Sequence, residues 1–202
     1  MSLTEGRPCI VPGLRGRVLL MRHAHSEANA AGLIISDPRV AVAHYGLSEL
    51  GRVQLDRRLD EWRWTVPTRI VHSPFKRALE TAQAVAKRFE LAISADEALR
   101  ERGFGELEGG PDARYSEVWA RDAVDASHRD FGVESLEAVA ARMRDALERW
   151  DAASSPATTL LVVSHGDPLS ILLASLLGTP LGEHRMLAPL APAGVIELRP
   201  RA

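Results

Sequence analysis

The chain has 202 residues, 46% hydrophobic and 26% charged, enough to bury a sizeable core in one domain of ordinary to large size. A formal net charge of −2 argues against a general binder of nucleic acid or of membrane surfaces. The single cysteine, Cys9, excludes an internal disulfide and a cysteine metal cluster, and points to a reducing, cytoplasmic setting.

Residues 1–15, interrupted by Pro8, Pro12 and Gly13, read as a loose leader and carry no signal-like apolar segment. The apolar run at Val18–Met21 lacks alternation, which suits a strand buried on both faces. It ends in Arg22-His23, and in open α/β sheets ligands sit beyond the carboxyl ends of the strands. A short helical turn is expected from Ser26 to about Ala31, then loop from Gly32 to Gly46. Ser48 reads as an N-cap. Leu50, Val53, Leu59 and Trp62 give an apolar stripe for a helix to about Trp62. A short strand follows at Arg69–His72. Ser73-Pro74 reads as an N-cap and first helical proline, with Ala78, Leu79, Ala82, Val85, Ala86 and Phe89 on the inner face. Leu91–Ser94 is a further candidate strand.

Glycines at 103, 105, 109 and 110 predict irregular structure over 95–134, with a helix near Tyr115–Arg121. Ser135 caps a helix whose inner face is Leu136, Val139, Ala140, Met143, Leu147 and Trp150. A second apolar strand, Thr159–Ser164, ends in His165-Gly166. Asp167-Pro168 repeats the cap-and-proline pattern, and Gly178 stops that helix. A last strand is expected at about Val195–Leu198. Strands alternating with helices predict an α/β fold: a three-layer α/β/α sandwich around a mostly parallel sheet, in one domain over 1–202.

Arg22, His23, Arg77 and His165 each fall just after a strand or in the first turn of the next helix. Singly, each reads as a strand-end or surface residue. Together they line one sheet edge, where helix N-termini add backbone N–H groups. Such a pocket suits a dianion, and phosphate fits the arginine fork. Ser164 cannot be activated by its neighbour His165, because adjacent strand residues point to opposite faces. The glycines lack dinucleotide spacing, and the histidines lack zinc spacing.

The set resembles the histidine phosphatase superfamily, the phosphoglycerate-mutase-like group. The likeness spans about Val18 to Leu198. It rests on Arg22-His23-Ala24-His25-Ser26-Glu27-Ala28-Asn29, Gly46–Gly51 with Gln54, Ser73–Ala82, Leu99–Gly105, Glu134-Ser135-Leu136 and Ser164-His165-Gly166. The resemblance implies a phosphatase that hydrolyses a phosphomonoester through a phosphohistidine on His23. It implies Arg22, Arg77 and His165 on the phosphoryl oxygens, Glu101 as proton donor and then base, and no metal or other cofactor. Asn29 matches a phosphate-contacting position; Ser26 and Gly166 complete the binding set. Partners are then a small phosphorylated substrate and inorganic phosphate, with no nucleic acid and no membrane; a homodimer is open. Ala24 stands where the group usually has glycine, and we expect the extra methyl to be tolerated.

Two other functions stay in view: phosphoglycerate-mutase-type transfer, and a non-catalytic phosphoryl-binding or regulatory protein. Mutases of the group carry longer insertions than Glu101–Ser135 provides, so hydrolysis is favoured. Blander readings are expected for several residues. Asp167 reads as an N-cap rather than a third acid. His25 and His72 read as edge histidines, and His44, His128 and His184 as surface groups. Lys76 and Lys87 read as solvated helix positions. Phe104, Tyr115 and Trp119 read equally as core or as a substrate wall.

Overall fold

The sheet explains why the two apolar runs carry no polar alternation. The computed structural model describes residues 8–187 and 190–201. Its strands are β1 (Cys9–Ile10), β2 (Arg17–Arg22), β3 (Arg69–His72), β4 (Ile93–Ala95), β5 (Thr159–Ser164) and β6 (Val195–Arg199). Its helices are α1 (Glu27–Ala31), α2 (Pro38–Ala41), α3 (Glu49–Asp60), α4 (Lys76–Phe89), α5 (Tyr115–Asp122), α6 (Leu136–Ala152) and α7 (Gly166–Leu177). The strand order is β1-β6-β2-β5-β3-β4. All neighbours pair in parallel except β2 with β6. The expected mostly parallel, three-layer α/β/α arrangement is therefore the one observed.

Both sheet faces are covered, and residues two apart share a face. Val18, Leu20, Leu160 and Val162 pack with Leu136, Val139 and Met143 of α6 and Leu169 of α7. Leu19, Met21, Leu161 and Val163 pack with Leu55 and Leu59 of α3 and Ala78, Ala82 and Val85 of α4. Full burial of each such side chain contributes roughly 1.5–3 kcal/mol, which fixes the central strands firmly. No helix among the described residues is long and apolar enough to cross a membrane.

Several expectations need correction. Of the expected leader, residues 1–7 lie outside the described residues, but Cys9–Ile10 form β1 beside β6, with Cys9 buried. The expected loop at 32–46 contains α2, which Asp37 caps ahead of Pro38. On α3 the buried positions are Gly51, Leu55 and Leu59, while Leu50 and Val53 are exposed. The stripe follows i, i+4 from a glycine, which a hydrophobicity count overlooks. A Cβ at position 51 would stand 1.9 Å from the His25 carbonyl oxygen, so only glycine lets α3 pack against the segment after β2. The strand expected at Leu91–Ser94 is shifted to Ile93–Ala95. Helix α4 begins two residues after Pro74, with Phe75 at the cap position and no side-chain cap. Ser73 is therefore not its N-cap.

Parallel neighbours β2, β5 and β3 end together, and backbone bonds extend their register past the strand ends. His23 N–H donates to Ser164 O (2.9 Å), and Ser73 N–H donates to Val163 O (2.9 Å). This lock delivers His23, His165 and the start of α4 to one edge.

Candidate active site

At that edge lies a cavity of about 230 Å³. Its floor is formed by Arg22, His23, Arg77 and Glu101, with Ser26, Asn29 and Gly166 at the sides. His165 lies directly behind, wholly buried, with its ring centroid 5.1 Å from that of His23. All eight residues singled out in the sequence are thus brought together.

His23 Nδ1 is 2.8 Å from the Ala24 carbonyl oxygen. A carbonyl only accepts, so Nδ1 carries the proton and Nε2 keeps its lone pair. Arg77 Nε–H lies 3.2 Å from both His23 Nε2 and His165 Nδ1. Arg77 Nη2 donates to Ile35 O (3.0 Å). Arg22 Nη1 donates to Leu190 O (2.9 Å). A Cβ on residue 166 would sit 3.2 Å from Arg22 Cζ, so Gly166 lets the guanidinium lie against the start of α7. Among the described residues two buried donors, Arg22 Nε and Arg77 Nη1, have no hydrogen-bond partner. Each such orphan costs roughly 1–3 kcal/mol unless an acceptor is supplied from outside.

Burial, then the charge of Arg77, holds His23 and His165 well below the usual 6.5. Both rings are neutral at pH 7. His165 Nε2 is 2.8 Å from Ser73 Oγ, which also accepts from Phe75 N–H (3.3 Å). Glu101 behaves in the opposite sense. Burial outweighs the pull of Arg77 and, with the nearby charge of Asp167, pushes it up to about 7. Its Oε2 is 3.7 Å from both Arg77 Nη2 and His165 Nδ1, while Oε1 accepts from Arg102 N–H (2.9 Å). Arg142 of α6 fastens the segment by donating to the carbonyls of Ala98, Arg100 and Glu101.

Asn29 closes a capping box with Ser26: its Oδ1 accepts from Ser26 N–H (3.1 Å) and Ser26 Oγ (2.9 Å). This commits the carbonyl end to α1 and leaves the amide nitrogen as the end available to a ligand. Ala24 lies outside the positive-φ region. Its N–H donates to Thr81 Oγ1 (3.1 Å) and its methyl is buried with the α3–α4 core, so alanine fits without backbone strain.

The mouth of the cavity holds groups that the sequence reading assigned elsewhere. Asp167 does not cap α7, whose cap position is His165 with no side-chain bond. It lines the cavity and accepts from Trp119 Nε1 (3.2 Å). Burial would raise it, but His184, Arg102 and Arg185 outweigh this and hold it at about 2. His184 is wholly buried, not on the surface, with Nε2 3.4 Å from Asp167. His128 packs its Nε2 on Asp122 (2.8 Å), and His72 is buried; His44 is exposed as expected. Phe104, Tyr115 and Trp119 answer to both readings: Phe104 is buried with Ile34, Leu107 and Val118, and all three aromatics line the cavity. Arg102, fully buried, grips Asp122 with two bonds of 2.7 and 2.8 Å. Only its place beside Glu101 could have drawn attention to it.

Residues 18–202 match the family model of the histidine phosphatase superfamily, branch 1. Glucosyl-3-phosphoglycerate phosphatase of Mycobacterium tuberculosis is 29% identical over 198 residues, covering 90% of this chain and 84% of that protein. Putative phosphoserine phosphatase 2 of Hydrogenobacter thermophilus is 32% identical over 176 residues, covering 82% of this chain and 80% of that one. The solved complex of a mycobacterial glucosyl-3-phosphoglycerate phosphatase with inorganic phosphate superposes with a TM-score of 0.72 at 26% identity. That match covers 90% of this chain and 88% of the other.

Proposed function

The chain belongs to the histidine phosphatase superfamily, and from that premise we propose that it hydrolyses a phosphomonoester through a phosphohistidine on His23. The observation that carries this reading is the pair of buried N–H groups on Arg22 and Arg77 that lack an acceptor among the described residues beside a neutral histidine. They are positioned to bind an oxyanion in front of the nucleophile.

In the first step His23 Nε2 attacks phosphorus and the ester P–O bond breaks. Glu101, protonated in part near pH 7, gives its proton to the leaving oxygen. Arg22, Arg77 and His165 hold the equatorial oxygens, with Asn29, Ser26 and the Gly166 end of α7 around them. The Nδ1–H bond to Ala24 O steadies the charge on the phosphorylated ring. In the second step Glu101, now a carboxylate, takes a proton from water. The water oxygen attacks phosphorus, the N–P bond breaks, and inorganic phosphate leaves. No step calls on a metal, because two arginines balance the phosphate charge.

The same reading makes the chain a single domain acting in the cytoplasm on small phosphorylated molecules, without a nucleic-acid partner. The net charge of −2 and the lone cysteine support it. Incubation with a panel of phosphomonoesters that includes 3-phosphoglycerate, read for free phosphate and for isomerised product, tests it. Free phosphate without isomerisation is expected. Isomerised product would assign mutase chemistry, and formation of no product at all would overturn the enzyme reading.

A further inference from the structure

We propose that Arg185 reads a carboxylate on the substrate, so that the preferred substrates are small phosphomonoesters bearing a carboxylate a few bonds from the phosphate. This inference rests on the phosphatase reading above.

Arg185 stands on a 3-10 turn, Leu181–Met186, at the cavity mouth. Its guanidinium Cζ lies 3.9 Å from the centroid of the Trp119 ring, and Asp167 holds the indole at its edge by accepting from Nε1–H. Arg185 Nη1 is 3.6 Å from Asp167 Oδ1, too long for a hydrogen bond. Among the described residues Arg185 makes an ion pair and a stacking contact but no hydrogen bond. Stacking uses the flat face of the guanidinium and leaves its N–H edges open. Ordering so long a side chain forfeits rotamer freedom. The platform of Trp119 and Asp167 meets that cost in advance.

The open edges belong to the same cavity as Arg22 and His23. Burial lowers the proton affinity of Arg22 most, and the positive charge of Arg185 lowers it further. Two guanidinium groups thus face one small space, one engaged at the floor and one available at the mouth. An arginine fork suits a carboxylate bidentately. A second phosphate suits this place less well. Only one arginine is offered, and the Asp167 carboxylate, ionised at neutral pH, would repel a dianion. The cavity, at about 230 Å³, is smaller than the ~300–1,000 Å³ of sites for drug-sized ligands. A compact phosphorylated acid fits it.

The test compares kcat/KM on 3-phosphoglycerate, on glycerol 3-phosphate, where a hydroxymethyl group replaces the carboxylate, and on fructose 1,6-bisphosphate, with para-nitrophenyl phosphate as baseline. The unmodified protein is expected to prefer the acid over glycerol 3-phosphate by about 10–100-fold, the value of one charged hydrogen-bonded contact. Arg185→Gln should lose most of that preference through KM, with a change on glycerol 3-phosphate below about threefold. Arg185→Lys, which keeps charge but not the fork, should retain part. An unchanged melting midpoint would show that Arg185→Gln folds. An acid-to-neutral ratio near one in the unmodified protein, or the same ratio in Arg185→Gln, would overturn the inference. So would a preference for the bisphosphate that disappears with Arg185. Turnover of para-nitrophenyl phosphate without acid preference would sink this inference and leave the phosphatase reading standing. No phosphate release from any of the four compounds would sink both.

Discussion

At the floor of the cavity every reacting group except Glu101, which lies in the irregular stretch after Leu99, stands on a regular element or next to its end. Arg22 closes β2, His23 and His165 follow β2 and β5, and Arg77 occupies the first turn of α4. At the mouth, Trp119 lies on α5 and Arg185 on a short turn. Both come from stretches that cross the sheet edge. The floor is held by backbone pairing between buried strands. The mouth is held by side chains: Arg102 on Asp122, and Trp119 on Asp167. The difference teaches a division of labour. The sheet edge, joined by Glu101, supplies chemistry that any phosphomonoester can use, and the segments at the mouth choose which one arrives.

The largest effect should come from the floor. His23→Ala removes the nucleophile and should lower kcat by at least ~10⁴-fold on every phosphomonoester. A loss confined to one substrate would break the comparison. Glu101→Gln should lower kcat by ~10²–10⁴-fold and should also alter the response to pH. In the folded chain Glu101 titrates at about 7 against an ordinary 4.5, so the folded state holds the proton more tightly. The stability this lends is complete below the unfolded value and is lost as pH rises through about 7. Glu101→Gln should therefore be more stable than the parent above pH 7, by an amount on the order of 3 kcal/mol. The decline in the rate of phosphoenzyme formation above pH 7 should vanish with it. Urea titrations at pH 5 and pH 8, beside a pH–rate profile, check both signs.

A mouth-side change should act first on stability. Asp122→Ala leaves the buried Arg102 charge without its bidentate partner and should cost about 3–5 kcal/mol, read by urea denaturation. Below its unfolding midpoint the variant should keep a kcat far above that of His23→Ala; a kcat equally low would tie the two regions together. The smallest effect should follow Ser73→Ala, which takes the hydroxyl from His165 Nε2. Loss of one such bond predicts about a 3–10-fold fall in kcat across all substrates, without a shift in preference among them.

The same contrast governs what the sequence could reveal. Apart from Glu101, whose role only the family resemblance implied, the floor was legible because its residues come with local signals: apolar runs that must be strands, and cationic groups at their ends or at the start of the next helix. Arg69–His72 and Thr159–Ser164 fall where periodicity places them. The mouth was not legible, because its contacts join residues far apart in the chain, such as Trp119 with Asp167 and Arg102 with Asp122. Local rules misled there. Asp167 before a proline has the form of an N-cap, yet its carboxylate turns to Trp119 and the cations around it. Ser73 before Pro74 has the same form; its Oγ still accepts from Phe75 N–H (3.3 Å), but the same hydroxyl also serves His165. At Asp167 buried polar partners prevail over a cap, since an unpaired buried group costs more than a missing cap contributes.

Whether His23 carries the phosphoryl group is measured most directly by rapid quenching during turnover, with intact-mass analysis of the protein under neutral and acidic conditions. The account predicts a single added phosphoryl group that acid removes, accumulating when Glu101→Gln slows its hydrolysis and absent in His23→Ala. The same adduct appearing in His23→Ala, or turnover without any adduct in the parent or in Glu101→Gln, would contradict it.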